Sequence, residues 1–191
     1  IAEDLSGSHG LVKLGDNTLT LTGTNTYTGG TQITAGTLQV GSGSTTGTLG
    51  SGEVQIATGA VLATNRSNGF SITADITGGG KLVKLGSDLL NLAGDNSFTG
   101  GLEVGAGTLA LSTSNAGGFT GGLTMGTDGN SSTELVLAPG VVLQSDVTLH
   151  GSVEATLGLA VEYLVVGGGG GGGGDNGGGG GAGGFVEGTT I

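Results

Sequence analysis

The stretch Leu11 to Val40 reads LVKLGDNTLTLTGTNTYTGGTQITAGTLQV, and Leu82 to Leu111 reads LVKLGSDLLNLAGDNSFTGGLEVGAGTLAL. The two blocks lie 71 residues apart, align without a gap and are identical at 16 of 30 positions, more than shared composition explains. A shorter echo, Phe119 to Leu123, repeats only the aromatic-Thr-Gly-Gly-Leu element. Reuse of a block at a fixed spacing indicates a repeat architecture.

Both blocks contain short alternating segments, such as Leu19 to Leu21 and Leu90 to Leu92, separated by Gly-containing turns. Such segments, joined by turns too short for a helical crossover, suit either a β-sandwich or a β-solenoid. The repeat favours the solenoid, because equivalent rungs bury their inward Leu, Ile and Val against the rung before. At roughly 20 to 25 residues per coil, residues 1–160 are expected to form about seven coils.

The composition limits what the chain can bury and what it can bind. It has 48 Gly, no Cys, no Trp and 3% aromatic residues, so small aliphatic side chains must form the core. Only 10% of residues are charged, and the formal net charge of -11 disfavours nucleic acid and anionic membranes as partners. Low charge with many hydroxyls is typical of extracellular β proteins. No apolar run approaches the ~18 residues that a membrane-spanning helix needs.

The turn that ends in Thr-Gly-Gly is the most distinctive element of the repeat. Paired glycines permit positive φ and a tight corner, and the Asn at the start of each turn can cap it through side-chain to backbone hydrogen bonds. The equivalent aromatics either stack to cover a solenoid corner or form a ligand platform. The predicted structural residues are Asn25, Tyr27, Gly29, Gly30, Asn96, Phe98, Gly100 and Gly101.

A boundary is predicted near Ala160, which separates a solenoid over residues 1–160 from a glycine-rich tail over 161–191. The tail contains eight consecutive glycines, Gly167 to Gly174, and resembles glycine-rich segments of phage tail fibres and large surface proteins. Chains without Cβ atoms can pack as polyglycine II, hydrogen bonded to neighbouring strands. The alternative is a flexible linker. Since the chain starts at Ile1 without a signal-peptide pattern, we expect a mature or internal fragment.

The sequence carries no recognisable catalytic, cofactor or metal-binding motif. Polysaccharide enzymes with this architecture need clustered carboxylates, and here the acidic residues are scattered. Lys13 and Lys84 occupy equivalent repeat positions and are therefore interpreted as structural. The segment from Asp128 to Glu134 resembles a calcium loop only faintly, because it lacks the sixth-position Gly and the twelfth-position Glu. Glycosylation sequons begin at Asn65 and Asn130.

The repeated block resembles the passenger-associated repeat of bacterial autotransporters and giant adhesins. The resemblance rests on Lys-x-Gly, Leu-Thr-Leu-Thr-Gly, Asn-Thr-Tyr-Thr-Gly-Gly-Thr and Ala-Gly-Thr-Leu, which residues 11–40 carry nearly throughout and residues 82–111 carry with substitutions. It implies a right-handed parallel β-helix outside the cell, serving as a stalk or scaffold for adhesion or secretion. It implies no catalytic residue.

Three functions remain open at this point. The first is a structural stalk or fibre subunit at a bacterial or phage-like surface, which self-associates through uncapped ends or through its tail. The second is a carbohydrate-binding adhesin module with a glycan or cell-surface ligand. The third, least favoured, is a β-helical polysaccharide-degrading enzyme. No cofactor, nucleic acid or transmembrane segment is expected.

Overall fold

The computed structural model describes residues 1–127 and 132–150, together with the backbone of residues 153–157. The described residues contain sixteen β-strands and no helix, so none of them forms a helix long enough to cross a membrane. The strands are β1 Leu11–Lys13, β2 Thr18–Leu21, β3 Thr31–Ile33, β4 Thr37–Ser44, β5 Val54–Ile56, β6 Val61–Arg66, β7 Phe70–Ile72, β8 Ile76–Thr77, β9 Lys81–Lys84, β10 Leu90–Leu92, β11 Leu102–Val104, β12 Gly107–Leu111, β13 Leu123–Met125, β14 Thr133–Leu137, β15 Val147–Leu149 and β16 Val153–Leu157.

The strands form three sheets in which every pairing is parallel. The first sheet has the order β1-β3-β5-β8, the second β15-β13-β11-β9-β6-β4-β2, and the third β16-β14-β12-β10-β7. Neighbouring strands belong to successive coils, which confirms the predicted all-β parallel solenoid. The second sheet has seven strands, so about 4.8 Å per strand gives a stack roughly 29 Å long.

The core consists of inward columns in which each residue lies on its counterpart in the next coil. In the second sheet, Leu38 pairs with Leu19 on one side and Leu62 on the other, and all three inward positions alternate with outward ones. Leu38 and Leu62 are fully buried. The complete column is Leu19, Leu38, Leu62, Leu82, Leu102, Leu123 and Val147. In this column the packing is therefore supplied by branched aliphatic side chains of similar size.

Coil length varies without breaking this column. From Leu19 to Leu38 there are 19 residues, whereas from Leu38 to Leu62 there are 24. The extra residues form an excursion at 41–48, made of the end of β4 and the turn after it, and the pairing of β4 with β6 shifts register between Val40 and Ser44. Insertions are thus absorbed at corners, because a register slip would turn the inward residues outward.

The two repeat copies occupy different faces of the solenoid. In copy one, β1 lies in the first sheet and β2 in the second; in copy two, the equivalent β9 and β10 lie in the second and third sheets. The 71-residue spacing therefore corresponds to three coils plus one face. The segment that closes the coil, 22–30 in copy one and 93–101 in copy two, moves to another face accordingly.

The coil between the copies accommodates the change of face. It carries a strand on each side, β6 in the second sheet, β7 in the third and β8 in the first. The coils before it have strands in the first and second sheets. The coils after it have strands in the second and third sheets. At the end of the first sheet the backbone ladder continues without strand geometry, as when Ser97 N–H donates to Ile76 O at 2.8 Å.

Replacing Leu82 with Ala is expected to lower the free energy of unfolding by about 2 to 5 kcal/mol, because the lost methyl groups leave a cavity in the column. Val83→Ala, in the same strand but facing outward, is the matched control and is expected to cost less than about 1 kcal/mol. Urea unfolding followed by circular dichroism measures both. Equal losses would contradict the inward assignment of Leu82.

Candidate functional site

The turn asparagines bridge successive coils. Asn25 is buried, and its side-chain Oδ1 accepts from the backbone N–H of Leu5 in the preceding coil at 2.9 Å. Its Nδ2 donates to the carbonyl of Thr48 in the following coil at 2.6 Å. One amide therefore satisfies backbone groups in two neighbouring coils where no strand ladder reaches them.

Asn96 repeats this arrangement on its own face. Oδ1 accepts from Ile76 N–H at 3.3 Å, and Nδ2 donates to the carbonyls of Ala116 at 3.0 Å and Gly94 at 3.1 Å. The bond to Gly94 lies within the turn itself. The other two bonds join coils, which the expectation of a local cap did not include.

The repeat aromatics lie inside the solenoid. Tyr27 is 3% exposed and its hydroxyl lies 2.7 Å from Thr31 Oγ1. Phe98 is fully buried and stacks on Phe119 with ring centroids 5.1 Å apart and an interplanar angle of 16°. Tyr27 and Phe98 lie on different sides of the solenoid and do not stack on each other. A ligand platform needs exposed ring faces, and neither ring offers one.

The two glycines of each pair are required for different reasons. The second glycine has positive φ, +83° at Gly30 and +88° at Gly101, a conformation that costs a side-chain-bearing residue energy. The first glycine allows close approach between coils. A Cβ at Gly29 would lie 2.3 Å from Gly10 N, and one at Gly100 would lie 2.3 Å from a backbone oxygen of the preceding coil.

The structure extends the repeat upstream of the blocks seen in the sequence. Asp4 Oδ1 accepts the N–H of Thr24 at 2.5 Å, and Asp75, at the equivalent position, accepts that of Asp95 at 2.8 Å. Identities at the same offset also occur at Ile1 with Ile72 and at Gly7 with Gly78, where both glycines have positive φ. These equivalences lie upstream of Leu11, and the signal for them in the sequence is the same 71-residue offset.

The equivalent lysines are buried with their ammonium groups against turn carbonyls. Lys13 Nζ donates to the carbonyls of Leu14 at 3.1 Å and Gly15 at 2.7 Å in its own turn. It also donates to Ala35, in the turn of the next coil, at 3.0 Å. A single cation therefore ties two turns together.

Lys84 makes the corresponding contacts in copy two. Its ammonium donates to the carbonyl of Gly86 and, at 2.7 Å, to that of Ala106. Burial lowers the pKa of Lys84 to about 8, although the negative charge of Asp88 acts in the opposite direction. The charged form is therefore less favoured in the folded protein than in the unfolded chain.

The remaining predicted positions form no assembled site. Asn65 is half-buried near the end of β6. Asn130, most of the calcium-like segment, the boundary near residue 160 and the glycine tail lie outside the described residues. Within residues 1–127 and 132–150, no three His, Asp or Glu side chains are grouped to hold a metal ion.

A shallow surface groove of about 530 Å³ runs beside the first sheet. Its wall carries the outward residues of three successive strands, Val12, Gln32 and Gln55, with Glu53 at the adjacent corner. The two glutamine side chains hydrogen bond to each other at 3.1 Å and are exposed. These groups can hydrogen bond a polar ligand, with one aliphatic contact from Val12.

Asn96→Ala is expected to lower the free energy of unfolding by about 1 to 3 kcal/mol, because it leaves the buried Ile76 N–H and Ala116 carbonyl without partners. Asn17→Ala replaces an exposed asparagine and is the control, expected to cost less than about 0.5 kcal/mol. Thermal and urea unfolding compare them. A loss at Asn96 no greater than at Asn17 would refute the bridging role.

Lys84 should make stability rise with alkaline pH. Between pH 8 and its ordinary pKa of 10.5, the unfolded chain holds a proton that the folded chain has released, so the free energy of unfolding increases with pH across this window. The increase should be absent in Lys84→Met and retained in Lys81→Met. Denaturant titrations at several pH values measure it; parallel profiles for the wild type and Lys84→Met would count against it.

The repeated blocks are similar to segments of known proteins. The model described as Passenger-associated-transport-repeat matches residues 11–40 and 82–111. The chain is 40% identical over 130 residues to the Adhesin BmaC autotransporter of Brucella suis biovar 1 (strain 1330). The aligned region covers 58% of this chain and only 4% of that protein. No solved structure matches the chain. Residues 11–40 and 82–111 are therefore two passenger-associated-transport repeats, within a solenoid that extends beyond them.

Proposed function

We propose that this chain is a non-catalytic segment of an extracellular, bacterial cell-surface protein, where it acts as a stalk in adhesion. The observation that carries the proposal is that two passenger-associated-transport repeats build one continuous solenoid. The similarity to part of an autotransporter adhesin supports the same assignment. A solenoid suits a stalk because each added coil extends the rod without requiring a new core.

The surface chemistry of the described coils supports a scaffold. Their aromatic repeat positions and two of their four cationic side chains are buried, which leaves few of the anchors that tight interfaces use. The outward positions on the second sheet are mostly short or polar, as at Thr20, Gln39 and Thr124. We propose right-handed winding, the hand that parallel crossovers strongly prefer.

The tail and the assembly state belong to this proposal as well. Residues 161–191 are proposed to form a separate glycine-rich segment that is able to pack as polyglycine II. Association of copies into a fibre remains a prediction from the sequence.

A carbohydrate-binding module is the second candidate, and the groove beside the first sheet favours it. Exposed amides at Gln32 and Gln55 are suited to hydrogen bond sugar hydroxyls, and the Glu53 carboxylate adds an acceptor. The groove lacks an aromatic among its lining residues, which weakens this candidate relative to the stalk.

Bacteria that display the full chain on a heterologous outer-membrane anchor should be retained on host-cell monolayers under flow better than bacteria with the anchor alone. A Gln32→Ala, Gln55→Ala variant separates the two candidates. If the chain acts as a stalk, bacteria that display the variant are retained as well as those that display the wild-type chain. If the groove binds a glycan, the variant loses both the retention and any glycan-array signal. Retention equal to that of the anchor alone would overturn the adhesion role.

A further inference from the structure

Arg66, the single arginine of the chain, holds the excursion at 41–48 against the solenoid. Its guanidinium donates to the carbonyls of Gly47 and, at 2.6 Å, Thr45. The guanidinium carbon lies 4.9 Å from the centroid of the Phe70 ring, within the range of a cation–π contact. The side chain is therefore fixed both at its end and against an aromatic ring.

The third partner of Arg66 is an amide where a carboxylate is expected. Asn68 Oδ1 accepts from Nε at 3.1 Å and from Nη2 at 2.8 Å, so a single amide oxygen takes two guanidinium donors that could also bond a carboxylate. Within the described residues, no Asp or Glu lies within ion-pair distance of Arg66. A carboxylate at position 68 would place a negative charge against the same two donors.

The residue after Asn68 is a glycine whose backbone is open to its surroundings. Gly69 is exposed, and a Cβ placed there would meet only Leu89, at 4.0 Å, so the backbone is open. The segment lies between β6 and β7, and Gly69 N–H donates no hydrogen bond to any described residue. A free main-chain nitrogen directly after an asparagine, with no side chain to obstruct it, is a suitable internal nucleophile.

We propose that Asn68 is a self-modification site at which the folded protein converts the amide to an aspartate that pairs with Arg66. Gly69 N loses its proton to water and attacks Cγ of Asn68; the new C–N bond forms, the Cγ–Nδ2 bond breaks, and ammonia leaves with the proton. Water then adds to the resulting succinimide and opens the ring. The net change is addition of one water and release of one ammonia, without oxidation or reduction.

Arg66 acts on both steps through the same contacts. Negative charge develops on Oδ1 when Cγ becomes tetrahedral, and the Nε and Nη2 donors already point at that oxygen. In the succinimide, the same donors polarise the Cγ carbonyl. Water attack at Cγ restores the ordinary main chain and leaves an aspartate side chain, whereas attack at the main-chain carbonyl gives isoaspartate. The protein therefore directs the reaction towards aspartate at position 68.

The test follows the full chain during incubation at neutral pH and body temperature, by peptide mapping with mass spectrometry and enzymatic methylation of isoaspartate. Position 68 should convert roughly tenfold faster in the wild type than in Arg66→Gln, the scale of one charge-assisted hydrogen bond. A second Asn-Gly step, Asn176-Gly177, is the internal reference in every sample. Equal rates in the two proteins, or an intact Asn68 while Asn176 converts, overturns the proposal.

The product ratio provides a measurement that does not depend on the folding of any variant. In the wild-type protein, aspartate should predominate over isoaspartate at position 68, whereas a synthetic peptide of residues 61–75 should give mainly isoaspartate. Identical ratios in protein and peptide would also overturn the proposal. In addition, Asn68→Asp should raise the unfolding temperature, and this gain should disappear when Arg66→Gln is present.

Discussion

Register between successive coils is the constraint on which the rest of this structure depends. A parallel ladder holds its hydrogen bonds only if each coil returns its inward residue to the same height, as Leu82 does between Leu62 and Leu102. Coils of different length meet this requirement because the surplus residues leave at a corner. The excursion at 41–48 and its anchor Arg66 follow from that requirement.

Where strand geometry stops, side chains supplement the backbone ladder. The coil-closing segments of both copies lack β structure, and direct backbone bonds between coils, such as Ser97 N–H to Ile76 O, satisfy only some of their buried backbone groups. Asn25 and Asn96 supply an acceptor towards one coil and a donor towards the next, while Lys13 and Lys84 collect the carbonyls of the turns. The chain therefore orders its coils with amides and buried cations, in the absence of disulfides and with few aromatics.

The sequence predicted the architecture well because two independent signals coincided, the alternating short segments and the repeated block. It assigned inward and outward positions, but not faces, since alternation has a period of two along a strand and carries no information about corners. The change of face between copies was therefore not predictable. The bridging contacts of Asp4 and Asp75 were not predicted, because both residues lie just upstream of the two repeated blocks. The burial of Tyr27 and Phe98 depends on how the coils pack, which the sequence pattern does not show.

The spacing of three coils plus one face gives the repeat a screw symmetry. Any block repeated in tandem at that spacing would turn its coil-closing segment by one third of a revolution each time, and only every third copy would present it in the same direction. A partner that recognised this segment would meet it along a shallow spiral, and a rod built in this way would have no single adhesive side. The 71-residue interval thus sets the direction of presentation as well as the length.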